Sequence, residues 1–299
     1  MLADPTDHLV LRLAAGDIPA LAVDLLGHLN LLGLGGFVEQ DPWSYLGATL
    51  VHDVRIQLCG TLAVEIDGRR IDHMLPGRQG RLLFTYLVLH RLRPARRDEL
   101  VDAIWADRAP NASDAALSAL LSKLRRVLPQ ETLSAGGEPR LRLPGTAFVD
   151  LEAAREAIHR AESAVAQHRW HRAWGASQGP LFTARRGFMK DEDAGWIREI
   201  QGELETLYLR ALECYLLACL GVGGTELAAA ERAGRELISL ALYRENGYRH
   251  LMLVLARTGN TAEALQIYDQ LRTLLRDELG VAPSAETLAV HAELLHGLA

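Results

Sequence analysis

At 299 residues the chain exceeds the roughly 100–200 residues usual for one domain, so two or more domains are expected. With 49% hydrophobic and 23% charged residues it is too apolar for a disordered chain, and its net charge of −6 counts against a uniformly basic protein. Its three cysteines, Cys59, Cys214 and Cys219, are too few and too dispersed for a disulfide scaffold, which points to reduced thiols and a cytoplasmic location. The first residues lack a basic stretch followed by an apolar run, and no window reaches the ~18 apolar residues of a membrane span. Neither export nor a membrane partner is expected.

Charge is unevenly spread. Residues 1–52 carry one Arg against six acids, residues 53–150 fifteen basic against twelve acidic, and residues 151–299 sixteen against twenty. Only the middle third is basic, with clusters at Arg91, Arg93, Arg96 and Arg97 and at Lys123, Arg125 and Arg126. Thirty Arg against two Lys reads as the product of GC-rich coding, which weakens the meaning of any one arginine.

The opening 52 residues are leucine-rich and broken by Gly16, Pro19 and Gly33–Gly36. Leu21, Leu25, Leu26 and Leu29 have helical spacing, so a short amphipathic helix is expected in an extension whose role the sequence does not disclose. Gly33, Gly35 and Gly36 lack the preceding strand and the GK[ST] ending of a phosphate loop and read as a plain loop. From residue 53 the period becomes two. VRIQLCGTLAVEIDGRRI alternates apolar and polar residues, broken at Cys59-Gly60-Thr61 and at Asp67-Gly68, which predicts a small antiparallel sheet.

Three helical stretches follow. The first carries Leu82, Leu83, Tyr86, Leu87 and His90 on one stripe and stops at Pro94. The second places Leu100, Val101, Ile104 and Trp105 inward, and the third Leu117, Leu120, Leu121, Leu124 and Leu128. ETLSAGGEPRLRL then reads as a hairpin turning at Ala135-Gly136-Gly137-Glu138, with Leu141 and Leu143 on one side and Arg140 and Arg142 on the other. Beyond Asp150 only helical patterns remain. An offset of 34 residues superposes Ala230 on Ala264, Leu237 on Leu271 and Leu240 on Leu274, which is the tetratricopeptide period, and Ala264 and Tyr268 take inter-helix positions.

The expected architecture is α+β and mostly α. Residues 1–52 form an extension, 53–150 a winged helix-turn-helix, and 151–299 an all-α tetratricopeptide-like domain. A B-form major groove about 12 Å wide admits one helix. With the leucines buried, Ser118, Ser122 and Arg125 share the opposite side of the third helix, flanked by Lys123 and Arg126. Arg125 is the expected base reader because guanidinium grips guanine with two hydrogen bonds. The serines and Lys123 would position the helix on phosphate, and Arg140 and Arg142 would touch backbone or minor groove. The bland alternative for this cluster is a solvated helix end, where cations also suit the dipole. For Arg91, Arg93, Arg96 and Arg97 the readings are solvation, phosphate contact or a guanidinium clamp on a phosphorylated small-molecule effector.

GRQGRLLFTYLVLHR, RRDELVDAIW and SALLSKLRRVL resemble the DNA-binding half of the Streptomyces antibiotic regulatory protein family. GPLFTARRGFMKDEDAGWIREIQGELETL and RTGNTAEALQIYDQLRTLLRDELGVAPSAETLAV look like its bacterial transcriptional activation domain. The resemblance runs over about residues 53–298. It implies a transcriptional activator that uses a response-regulator-type winged helix to bind repeated elements in double-stranded promoter DNA and contacts RNA polymerase holoenzyme, with residues 114–128 as recognition helix and 131–143 as wing. A homodimer is an open reading. Where the family has a Gly-Tyr pair after the wing this chain has Pro144 and no tyrosine, so the wing strand is expected to end early. Ala115, Ala116 and Ala119 also leave the recognition helix short of long polar side chains.

Two other classes compete. An enzyme finds little support: His168 and His171, i and i+3 on an expected helix, have no third metal ligand at a useful spacing, and Cys214 and Cys219 read as small core residues. No GxSxG, HExxH, Walker or dinucleotide fingerprint occurs, so no catalytic residue, metal or cofactor is assigned. The second is a non-enzymatic adaptor that binds an effector or protein through its helical repeats and keeps the winged helix as scaffold.

Overall fold

The computed structural model describes residues 54–106, 109–134, 137–192 and 194–297. The helix expected around Leu21–Leu29 and the loop at Gly33–Gly36 lie outside them. Contacts divide the chain into two units: the described residues up to Ala153 together with Arg186–Leu204, and Ala154–Arg185 together with Glu205 onward.

In the first unit β1 (Val54–Gln57) pairs antiparallel with β2 (Ala63–Ile66), and β2 with β3 (Arg69–Arg70). The two-residue turn between β2 and β3 is Asp67-Gly68, with φ of 50° and 73°. Those positive values are the demand that an Asp-Gly pair meets cheaply. After a 3₁₀ turn at Asp72–Met74 come α1 (Gly77–Leu89), α2 (Arg97–Trp105) and α3 (Ser113–Val127). Each buries most of the stripe its periodicity predicts: Leu83 and Leu87 from α1, Leu100 and Ile104 from α2, and Leu117, Leu120, Leu121 and Leu124 from α3, while His90, Val101 and Trp105 are only half-buried. The hairpin after α3 is narrower than its sequence suggests. One antiparallel bridge joins Leu133 to Leu141, with Ser134 N–H donating to Arg140 O (3.0 Å) and Arg142 N–H to Thr132 O (2.7 Å).

Two features of this unit were not read from the sequence. First, β4 (Phe148–Val149) returns to the sheet and runs parallel to β1, pairing Arg55 with Phe148 and Ile56 with Val149, so the strand order is β3-β2-β1-β4. Second, Arg186–Leu204 belongs here. Gly60 N–H donates to Gly187 O (2.7 Å), Cys59 bridges Phe188, and the Phe188 ring is fully buried. Trp196 meets the Tyr86 and Phe188 rings edge-on at 5.3 and 6.0 Å, and its indole N–H donates to Ala103 O at 3.0 Å. That last bond ties the segment to the closing turn of α2.

Asp150, completely buried, joins sheet to helix. Its Oδ1 accepts from the N–H groups of Leu58 and Leu151 (both 2.8 Å) and its Oδ2 from Cys59 (3.0 Å). Burial pushes its carboxyl up to about 6, against the pull of those three donors and of the Arg186 charge.

The second unit continues α4 (Asp150–Ala166), α5 (Trp170–Arg186) and α6 (Gly195–Val222), then adds α7 (Leu227–Leu240), α8 (Glu245–Arg257), α9 (Thr261–Leu274) and α10 (Ala285–His296). It is all helical. The starts of α7 and α9 are 34 residues apart, and Ala230, Leu237, Ala264 and Leu271 are all buried, as the repeat offset requires. Leu240 is 54% exposed and departs from that pattern at the end of α7. Gly221 admits the Trp170 ring against the α6 backbone, since a Cβ there would lie 2.2 Å from it. Cys214 and Cys219 are buried core residues, and burial raises both thiols to about 12. The helix expected to carry His168 and His171 together does not exist. His168 sits in the turn between α4 and α5 at φ 54°, and only His171 is helical. Among the described residues no cluster of His, Cys, Asp or Glu could hold a metal, and no helix is long and apolar enough to cross a membrane.

Asp150 makes stability pH-dependent. Its folded value of about 6 lies above the ordinary 3.8, so the native state holds the extra proton and stability falls as pH rises from about 4 to about 6, then levels off. The whole interval amounts to about 3 kcal/mol. Glu99, held down to about 2 chiefly by Arg93, acts in the opposite sense and only below its ordinary 4.5. Urea unfolding should therefore show wild type more stable at about pH 5 than at about pH 7, with the difference reduced in Asp150→Asn; an equal difference in both would contradict this role. Trp196→Ala should cost about 3 kcal/mol and Trp196→Phe, which loses the bond to Ala103 and part of the ring packing, less than that but at least about 1 kcal/mol, both read as shifts in the urea midpoint.

Candidate nucleic-acid interface

The outer side of α3 follows from its inner side. Leu117, Leu120, Leu121 and Leu124 are 0–8% exposed, so at about 100° per residue the opposite line runs through Ala115, Ala119, Ser122 and Arg126. Ser118, Ser122, Lys123 and Arg126 are exposed. Arg125 stands to one side, half-buried. Its Nη2 donates to Ser134 O at 2.9 Å, and its buried Nε has no partner among the described residues. The structure thus places four of the five α3 candidates on the surface and turns the fifth toward the hairpin.

The hairpin is tied down on two sides. Arg125 holds it at Ser134, while Ala95 N–H donates to Pro139 O (2.8 Å) and Arg140 Nε to Arg91 O (3.2 Å) in the α1–α2 loop. Arg140 and Arg142 are both exposed, and Leu141 between them is buried. The alternation expected from PRLRL is therefore present even though the ladder is short.

The four arginines considered for an anion clamp each have a carboxylate already. Arg91 pairs with Glu152 (2.6 and 2.9 Å), Arg93 with Glu99, Arg96 with Asp98 and Arg97 with Asp114 (2.6 Å). Glu99 also accepts the Tyr86 hydroxyl, whose pKa burial and Glu99 push up to about 12. No joint cradle forms from these four. Arg97 has a further role that sequence reasoning missed: its Nη2 donates to Ser118 Oγ (2.7 Å) and Asp114 O (3.2 Å), which brings a cation to the first turns of α3. A helical wheel centred on the leucines would have ranked Arg126 above Arg125, but nothing local in the sequence announces the Arg97–Ser118 bond.

Residues 149–295 match the bacterial transcriptional activator domain. The chain is 32% identical over 225 residues to the regulatory protein AfsR of Streptomyces griseus, covering 73% of this chain and 22% of that one. It is 26% identical over 265 residues to the transcriptional regulatory protein EmbR of Mycobacterium tuberculosis, covering 83% and 65%, and 29% identical over 259 residues to the transcriptional regulator RedD of Streptomyces coelicolor, covering 81% and 70%. It therefore spans under a quarter of AfsR and about two thirds of EmbR. A solved structure of M. tuberculosis EmbR in complex with a low affinity phosphopeptide superposes with a TM-score of 0.70 at 23% identity, covering 82% of this chain and 65% of that one, which establishes a shared fold. The chain belongs to the Streptomyces antibiotic regulatory protein family.

Proposed function

We propose that the chain is a sequence-specific transcriptional activator working in the cytoplasm, whose first unit is a winged helix that lays α3 in the major groove of double-stranded promoter DNA. The observation that carries this reading is the exposed line of α3, small and polar with cations at its end, flanked by Arg140 and Arg142 on an anchored hairpin. Small side chains at Ala115, Ser118, Ala119 and Ser122 let a helix backbone approach the groove floor, and alanine methyls suit the thymine methyl group. Arg126 takes the base-reading role in preference to Arg125. Lys123, Arg140 and Arg142 supply phosphate contacts, which fix register and carry no sequence information. Arg125 keeps the wing in place from below. The helical-repeat unit is assigned to RNA polymerase holoenzyme, on the strength of the activator-domain match over residues 149–295.

The test is binding to a promoter fragment from the protein's own genome, selected by immunoprecipitation. Affinity should fall steeply between about 50 and 200 mM salt, with a slope of about −0.9 for each phosphate neutralised. Arg126→Ala should cost about 1–3 kcal/mol on the selected site and relax discrimination at one base position, whereas Arg140→Ala should weaken all sequences alike. Arg125→Ala should lower the unfolding midpoint and weaken every sequence together. Salt-insensitive binding, or no binding to any genomic fragment, would favour the adaptor reading instead.

A further inference from the structure

The cations without carboxylates lie elsewhere. Residues 154–185 carry five arginines against two glutamates, whereas residues 205–299 carry eight against twelve, so the start of the helical-repeat unit is a positive island in an acidic half. Within it a cleft of about 470 Å³ opens between α4 and α5. Its walls bear His159, Arg160 and Ser163 from α4, Gln167 from the turn, and Arg169 and Arg172 at the start of α5, and no carboxylate lines it. Among the described residues Arg169 and Arg172 pair with no acid. Arg160 and His159 reach Glu156 and Glu162 only at 3.7 and 3.6 Å, through exposed side chains, and such pairs contribute little.

The placement works against helix electrostatics. The first turn of α5 contains no acidic residue, so Arg169 and Arg172 add positive charge to the positive end of a 17-residue helix. The turn that presents them is itself constrained: His168 holds φ 54°, its ring meets Trp170 edge-on at 5.1 Å, and Arg169 N–H donates to Ala164 O (2.8 Å). An anion in the cleft would satisfy the guanidinium groups and reverse the unfavourable dipole term together. Its chemistry can be narrowed. The only apolar lining is Ala164 and Ala176, which offers nothing for a ring or an acyl chain to stack on. Three arginines on two walls, with a hydroxyl, an amide and an imidazole beside them, exceed what one phosphoryl group engages.

We propose that the α4–α5 cleft binds a small molecule carrying linked phosphoryl groups, recognised through Arg160, Arg169 and Arg172 with Ser163 and Gln167 as hydrogen-bonding partners. The site is separate from the DNA-reading surface and stands whether or not that surface reads DNA. Calorimetric titration of the full chain with inorganic tripolyphosphate, at about 150 mM salt, should give saturable one-site binding with Kd below about 1 mM, tighter than for inorganic phosphate or sulfate. The double substitution Arg169→Gln with Arg172→Gln should weaken it at least tenfold, and Ser163→Trp, which fills the cleft, should abolish it. Without ligand both variants should have a Tm no lower than wild type, the double variant slightly higher because it removes two charges unfavourable to the α5 dipole, and Arg126→Ala should bind tripolyphosphate as wild type does. Absence of saturable binding, or binding that survives both cleft variants, would overturn the proposal. A double variant that loses affinity for duplex DNA, in a protein whose wild type ignores tripolyphosphate, would overturn it in favour of contact with the nucleic-acid backbone.

Discussion

The leucine seam of α3 is the constraint on which the first unit depends. Leu117, Leu120, Leu121 and Leu124 contribute no directional bonds, yet burying four leucines fixes the rotation of a 15-residue helix about its own axis. Everything on the outer side follows from that rotation. A shift of one residue in the seam would move the exposed line from Ala115, Ala119, Ser122 and Arg126 by about 100° and bring a different set of side chains forward. The exposed surface is therefore defined by what the helix hides. The polar residues only determine what such an exposed surface can bind.

A seam needs something to press against, and the chain supplies it from distant places. Phe188 fills the first unit from 60 residues or more beyond α3, and Trp196 braces Tyr86 while bonding the last turn of α2. Asp150 contributes a different kind of closure. Its carboxylate collects three backbone N–H groups that the end of β1 and the start of α4 would otherwise bury without acceptors. Ionising a buried carboxyl is costly, and its raised pKa records that cost, but leaving three donors unpaired would be costlier. The packing unit thus does not coincide with a contiguous stretch of sequence: Arg186–Leu204 sits inside the matched activator domain yet completes the core around α1 and α2.

This explains which parts of the molecule were legible. Features set by local physics could be read directly: the Asp67-Gly68 turn from its need for positive φ, the helices from apolar period, and the repeat from the 34-residue offset that puts Ala230 and Ala264 at matching buried positions. Features set by sequence-distant pairing could not. The strand Phe148–Val149 is two residues long and has no pattern of its own; it exists because β1 offers an edge to it. The bridge from Cys59 to Phe188 spans 129 residues, and nothing near either partner foretells it. His168 and His171 failed in the opposite way, since their spacing suits a helix but the chain turns between them. On α3 the leucine period foretells which side is exposed but not that Arg125 is half-buried, because Arg125 and Arg126 differ only in angle and the hairpin carbonyl that captures Arg125 comes from nine residues further on.

With thirty arginines, the location of a guanidinium says little; its partner says more. In the α1–α2 loop every candidate arginine faces an acid, so the cluster that looks most like an anion clamp in sequence is internally neutralised in space. On α3 the acids stop at Asp114, which Arg97 occupies, and Lys123 and Arg126 beyond it have no side-chain partner among the described residues. Between α4 and α5 the two available glutamates touch only the outer edge of the cluster. A bound anion must compete with any carboxylate already in place, and that competition removes most of the net attraction. The distribution of Asp and Glu, more than that of Arg, therefore bears on where a phosphate could be held, and among the described residues the outer line of α3 with its hairpin and the α4–α5 cleft both carry cations without a close carboxylate.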